Sequence, residues 1–137
     1  MKVVIDTNVL ISALIKDSTA RRILAKPELD FYYPEIAFEE LDKYKELVKQ
    51  KSGMGETEYN QVKESLLNFV TVIPTAILEK HLEEAKGIMS RIDQKDVVFI
   101  ATALSINGAV IWTDDADFKR QSKITTLTTK EIVDLNL

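Results

Sequence analysis

The 137-residue chain contains no cysteine and only one histidine, His81. Without cysteine there is neither a disulfide framework nor a thiolate metal site. That fits a reducing compartment, and a cytoplasmic protein is expected. Long apolar runs are missing as well. The opening Met1-Lys2-Val3-Val4-Ile5 is cut off by Asp6, too early for a signal peptide. No segment approaches the roughly 20 apolar residues of a membrane span, so a soluble chain is expected. Basic charge is not in excess either: 18 Lys and Arg stand against 22 Asp and Glu, a net charge of −4. This argues against a protein held to nucleic acid mainly by charge. It does not exclude an enzyme acting on RNA, because divalent cations among carboxylates cancel their charge locally. The basic residues that are present cluster as Arg21, Arg22 and Lys26, as Lys43, Lys45, Lys49 and Lys51, and as Lys119, Arg120 and Lys123. Each cluster by itself reads as a solvated helix face.

No repeat or linker divides the chain, and one domain over residues 1–137 is expected. Gly53 and Gly55 mark a turn between helices. Along the chain, strand and helix patterns alternate. Strands are expected at Lys2–Ile5, Phe31–Tyr33, Phe69–Ile73, Ala109–Trp112 and Ile124–Leu127. Helices are expected over residues 7–15, over about 18–25 with Ser18 as cap, from Pro34 through Val48, over 56–68 and over 77–90. The segment Val97–Leu104 is apolar nearly all round, which implies a buried helix, with Asp93 as its cap and Asp96 three residues on. Thr128 and Glu131 have capping-box spacing ahead of a last helix. His81 reads as a surface helix residue and Trp112 as core. Such alternation implies a parallel sheet with helices on both faces. In that architecture ligands bind beyond the carboxyl ends of the strands.

The acids fall at that edge. Asp6 follows the first strand, and Asp115 and Asp117 follow the fourth. Asp96 begins the buried helix that returns from the rim, and Glu40 lies in the helix after the second strand. Converging carboxylates repel one another unless a cation shares them. Oxygen donors without cysteine favour Mg²⁺ or Mn²⁺ over Zn²⁺, ions suited to phosphodiester hydrolysis. Singly, each acid has a plainer reading: Asp6 as a helix cap, Asp96 as a capping-box acid, Glu40 as a solvated side chain, and Asp114, Asp115 and Asp117 as a polar loop. Those readings do not explain why the acids fall where the sheet would bring them together.

With these residues in place, the sequence resembles the PIN domain, and more narrowly the prokaryotic VapC-type PIN proteins. Val4-Ile5-Asp6-Thr7-Asn8-Val9-Leu10 is similar to the family's first motif and Glu39-Glu40-Leu41 to its second acidic position. Asp96-Val97-Val98-Phe99-Ile100-Ala101 is similar to its third, and Thr113-Asp114-Asp115-Ala116-Asp117-Phe118 to its closing motif. The motifs occur in family order and span most of the chain. The resemblance implies a three-layer α/β/α sandwich around a mostly parallel sheet. It also implies a Mg²⁺- or Mn²⁺-dependent ribonuclease in which Asp6, Glu40, Asp96 and Asp115 form the acidic cluster and Asp117 is an outer acid. Thr7, Asn8 and Thr113 would then hold carboxylates by hydrogen bonds. Homodimers, and a neutralising antitoxin that makes the chain a toxin, are further implications; a solitary RNA-processing nuclease and an inactive binding module are the rival roles. Glu39 and Glu40 point about 100° apart on a helix, so only one can face the site, and Leu41 selects Glu40. Asp115 is preferred to Asp114 by its spacing from Thr113 and Asp117. Arg21, Arg22 and Lys119 are expected to guide the RNA backbone. A phosphatase of the haloacid dehalogenase type wants an acid where Asn8 stands. A receiver domain wants an acidic pair where Asp6 stands alone.

Overall fold

In the computed structural model, which describes residues 1–15, 18–89 and 94–137, the β-branched run Lys2–Ile5 forms β1 at the centre of a five-stranded sheet. Beside it lie β2 (Asp30–Pro34) and β4 (Val110–Trp112). The edges are β3 (Val70–Ile73) and β5 (Thr126–Leu127). The strand order is β3-β2-β1-β4-β5, and every pairing is parallel. The expectation of a mostly parallel sheet thus becomes a wholly parallel one. Val3, Val4 and Ile5 are all fully buried, as a central parallel strand covered on both faces requires.

The chain steps outward from β1 to β2 and β3, then crosses back to β4 and β5 on the other side. The order therefore reverses between β1 and β4, and the carboxyl ends of those two strands flank the switch point where open α/β sheets bind ligands. Right-handed crossovers place the helices of the two halves on opposite faces. One layer contains α1 (Thr7–Ile15), α2 (Ser18–Leu24), α4 (Lys45–Ser52) and α5 (Glu56–Leu67), with α9 (Thr129–Asp134) packed on α2. The other contains α6 (Thr75–Glu79), α7 (Leu82–Met89) and α8 (Val97–Leu104), and α8 packs across β1, β2 and β4. Ile100 and Ala101 of α8 are fully buried, in keeping with its apolar sequence. Thr128 and Glu131 form the expected capping box at the start of α9. The side chains of Ser18 and Asp93, expected as caps, lie outside the described residues.

Some boundaries differ from the sequence pattern, each for a local reason. The helix expected from Pro34 onward is a 3₁₀ turn at Glu35–Ala37, then α3 (Phe38–Lys43), and it breaks at Tyr44 before α4. There Tyr44 N–H donates to the Leu41 carbonyl, a tighter bond that ends one helical segment. His81 N–H makes the same kind of bond to Leu78, so the helix expected over 77–90 divides into α6 and α7. His81 is half-buried at the joint rather than on a helix surface. The last strand is two residues long because the Gln121 side chain accepts from Ile124 N–H and donates to the Ile124 carbonyl, taking that residue out of the ladder. Gly53, expected in a turn, ends α4 at φ +75°, a conformation that glycine adopts without strain.

Because α8 lies against the three central strands, truncating it leaves a hole that no neighbour can fill. Ile100→Ala is expected to lower unfolding stability by about 2–5 kcal/mol, measured by urea denaturation.

Candidate active site

Asp6 sits where β1 becomes α1. Its N–H completes the β1–β4 ladder by donating to the Trp112 carbonyl at 3.0 Å, and its own carbonyl accepts from Val9 and Leu10. One residue thus ends a strand and starts a helix, which directs its carboxylate over the switch point. The carboxylate is 4 % exposed. Thr113, just beyond β4, donates its hydroxyl to Asp6 Oδ2 at 2.8 Å. The same Thr113 Oγ accepts from Asp115 N–H at 3.0 Å, and Asp115 Oδ1 in turn accepts from Asp117 N–H at 2.9 Å. This run of bonds shapes the loop after β4 and ties it to the end of β1.

Burial pushes the Asp6 carboxyl up from its ordinary value of 3.8 to about 6. The Thr113 hydrogen bond opposes that rise, the negative charges of Asp115 and Glu40 add to it, and the Asn8 backbone N–H opposes it weakly. Asp115 and Glu40 therefore both act on Asp6. In both ambiguous pairs the geometry separates the neighbours. Glu40 is half-buried and acts on Asp6, whereas Glu39 is exposed. The Asp114 carboxylate accepts from both N–H and Oγ of Thr129 at 2.7 Å. Trp112, fully buried, donates its indole N–H to that same Thr129 Oγ, so Asp114 secures α9, whereas Asp115 is bonded within its own loop.

Asp96 occupies the N-cap position of α8 with its side chain making no cap bond there, and it is 7 % exposed. Its neighbours Lys95 and Val98 line a cleft together with Glu39, Glu40 and Tyr44. A second cleft is lined by Asn8, Ser12, Asp114 and Asp115. Asp117 is half-buried, 4.0 Å from Arg120 Nη1.

Thr7 does not hold a carboxylate. Its hydroxyl lies 2.7 Å from the phenol of Tyr33, which donates its only proton to the Ala37 carbonyl at 3.0 Å, so Thr7 is the donor between the two. Asn8 reaches Asp6 through its backbone, and its side chain is exposed. Two of the expected RNA-guiding cations are committed elsewhere. Arg21 donates to the carbonyls of Ala13 and Leu14 at the end of α1, a use of cationic side chains that helix ends favour. Lys119 is shared between the Thr126 carbonyl and Glu131. Arg22 lines a groove with Lys26 and Val133 between α2 and α9, on different elements from the acids.

The residue missed from the sequence is Tyr33. It is fully buried at the carboxyl end of β2, and its hydroxyl joins Thr7, next to Asp6, to Ala37, just ahead of the helix that carries Glu40. Burial, with the charges of Glu40 and Asp6 adding to it, holds its phenol well above the ordinary value of 10. Its only signal in the sequence was a polar atom on a strand otherwise apolar near its end.

A parallel α/β sandwich with a buried acid, Asp6, at its switch point is the class that fold and site define. The profile of the PIN domain family matches residues 4–134, and the chain belongs to that family. Two solved structures share the fold. One is VapBC2 from Rickettsia felis bound to a DNA fragment from their promoter, with a TM-score of 0.71 and 18 % identity over 93 % of this chain and 98 % of the other. The second is VapBC-1 from nontypeable Haemophilus influenzae, with a TM-score of 0.67 and 22 % identity over 95 % of this chain and 99 % of the other. No curated protein matches the sequence.

Among the described residues, no three acidic or histidine side chains are gathered tightly enough to hold one metal ion as they stand. The fit to a hard divalent cation is one of donor chemistry. The donors are all oxygen, one of them is a buried carboxylate pushed towards protonation, and the charges of two further carboxylates add to that rise.

The Asp6 carboxyl binds its proton more tightly in the fold than in the unfolded chain. In EDTA the protein should therefore lose stability as pH rises from about 4 through about 6, by at most about 3 kcal/mol, and lose no more from this group at higher pH. Asp6→Asn keeps an acceptor for Thr113 without the charge. Thermal melts in EDTA are expected to show the variant more stable than wild type at pH 7.5, with a flatter profile between pH 4 and 7.

Proposed function

We propose that this chain is a divalent-metal-dependent endoribonuclease that hydrolyses phosphodiester bonds in unpaired RNA and serves as the toxin of a toxin–antitoxin pair. The observation that carries the reading is a buried Asp6 at the switch point, pushed towards protonation by burial and, in smaller part, by the charges of Asp115 and Glu40. Membership of the PIN domain family supports nuclease chemistry. Likeness in fold to chains of two VapBC structures supports the toxin role. The antitoxin would be a small protein encoded beside this one, and the active form a homodimer in the cytoplasm.

Asp6, Asp96 and Asp115 would hold Mg²⁺ or Mn²⁺, with Glu40 and Asp117 completing the acidic rim. When bound, such an ion lowers the pKa of water and offsets charge building on the phosphate. The chain's own part is to present ionised carboxylates in a fixed frame. Thr113 holds Asp6 by one oxygen and leaves the other lone pairs available, and its backbone partner Asp115 is oriented by the same hydroxyl. The leaving oxygen would take its proton from water. With Arg21 and Lys119 committed to other partners, Lys43 of the cleft beside Glu40 is the cation proposed to meet the RNA backbone.

The test is cleavage of a long, unstructured RNA in EDTA, Mg²⁺ or Mn²⁺. Wild type is expected to cut only with metal, and Asp6→Asn to lose more than about 100-fold of that activity. Equal cutting by the variant would place the active site elsewhere. Among the ambiguous neighbours, Asp115→Asn and Glu40→Gln should abolish cutting, while Asp114→Asn and Glu39→Gln leave it within about threefold of wild type. Cutting should also fall as salt rises.

A further inference from the structure

We infer that Tyr33 is a positioning residue for the acidic rim, its hydroxyl setting the spacing between Asp6 and Glu40. The inference rests on the metal-dependent reading above. Its ground is that one buried side chain touches three of the segments that carry the acids. The Tyr33 hydroxyl accepts from Thr7, the residue after Asp6, at 2.7 Å. It donates to the carbonyl of Ala37, three residues before Glu40, at 3.0 Å. The phenol ring packs edge-on against Phe38 of α3, with centroids 5.1 Å apart. On another side it meets Phe99 of α8 at 6.1 Å, and Asp96 begins that helix.

The contacts continue beyond Tyr33. Phe99 packs edge-on against Phe118 at 6.5 Å, and Phe118 lies in the 3₁₀ turn Ala116–Arg120 that follows Asp115. Phe38, Tyr33, Phe99 and Phe118 thus form a continuous row of rings under the rim, each ring on or beside an acid-bearing segment. The two outer contacts are edge-to-face and the middle one, Tyr33 with Phe99, is tilted at 51°; edge-to-face packing is geometrically specific, so the row restrains the segments it touches. Tyr33 alone adds a directional bond to it. Tyr33 and Phe118 are fully buried and Phe99 is 2 % exposed, so no water competes for the phenol. Removing its oxygen leaves the Thr7 hydroxyl and the Ala37 carbonyl without their mutual link, while the rings stay packed. The segments carrying Asp6 and Glu40 then become free to drift apart, since the carboxylates repel each other. Partners bonded directly to a metal ligand commonly change affinity by about 10–100-fold when lost, and Tyr33, one bond further out, is expected at the lower end.

The experiment is Mn²⁺ binding to the full chain at pH 7.5, measured by calorimetry and by loss of the free-ion EPR signal. Wild type is compared with Tyr33→Phe, Thr7→Val, Thr7→Ser and Asp6→Asn, and thermal melts in EDTA are run beside them. Tyr33→Phe and Thr7→Val are each expected to weaken Mn²⁺ binding about tenfold. Thr7→Ser, which keeps the hydroxyl, should bind within about threefold of wild type. The double variant should lose no more than either single one, because both break one link. Unchanged Mn²⁺ affinity in Tyr33→Phe and Thr7→Val, with only a lower melting temperature, would reduce Tyr33 to a core residue and overturn the inference while leaving the nuclease reading intact. Failure of wild type to bind Mn²⁺ at all would overturn both.

Discussion

The Thr113 hydrogen bond to Asp6 across the seam between β1 and β4 is the contact on which the site depends. It spans 107 positions of sequence and joins the two strands whose order reverses at the switch point. A buried carboxylate among other carboxylates is unfavourable, and one hydroxyl does not offset it, as the raised Asp6 pKa records. Stability alone would favour a neutral residue at position 6. The fold keeps the charge and builds a loop around it, with Thr113, Asp115 and Asp117 each fixing the next.

Holding several repelling groups at one edge needs a frame stiffer than the repulsion. Here the frame is apolar. α8 lies across the three central strands, and the row Phe38, Tyr33, Phe99 and Phe118 runs beneath the rim. The wholly parallel sheet contributes because all its strands point their carboxyl ends at the same edge. Much of the basic charge serves the fold: Lys45 and Lys49 pair with Glu56, Lys119 with Glu131, and Arg21 with the end of α1. Although basic residues are numerous, those left to meet a polyanion are fewer than the composition implies.

Much of the architecture was legible in the order of residues. Strand positions, the buried helix from Val97, the capping box at Thr128 and the turn at Gly53 follow from periodicity and local backbone chemistry, which neighbours in sequence determine. The breaks at Tyr44 and His81 were not legible, because a single tightened turn leaves hydrophobic spacing unchanged. The shortened last strand escaped for a similar reason: a glutamine side chain competes with the ladder, and composition does not show which partner a backbone N–H will choose.

From the sequence alone came the candidate acids at the strand ends and the family motifs that contain them, because each motif is a short run whose spacing survives without coordinates. Only the tertiary structure left Glu39 more exposed than Glu40, bound Asp114 to Thr129, gave Thr7 the phenol of Tyr33 as partner, and committed Arg21 and Lys119 to other bonds. In each case the deciding partner lies far along the chain, as Thr129 does for Asp114 and Tyr33 for Thr7. A side chain's direction is set by what packs against it, and those contacts exist only once distant strands have met.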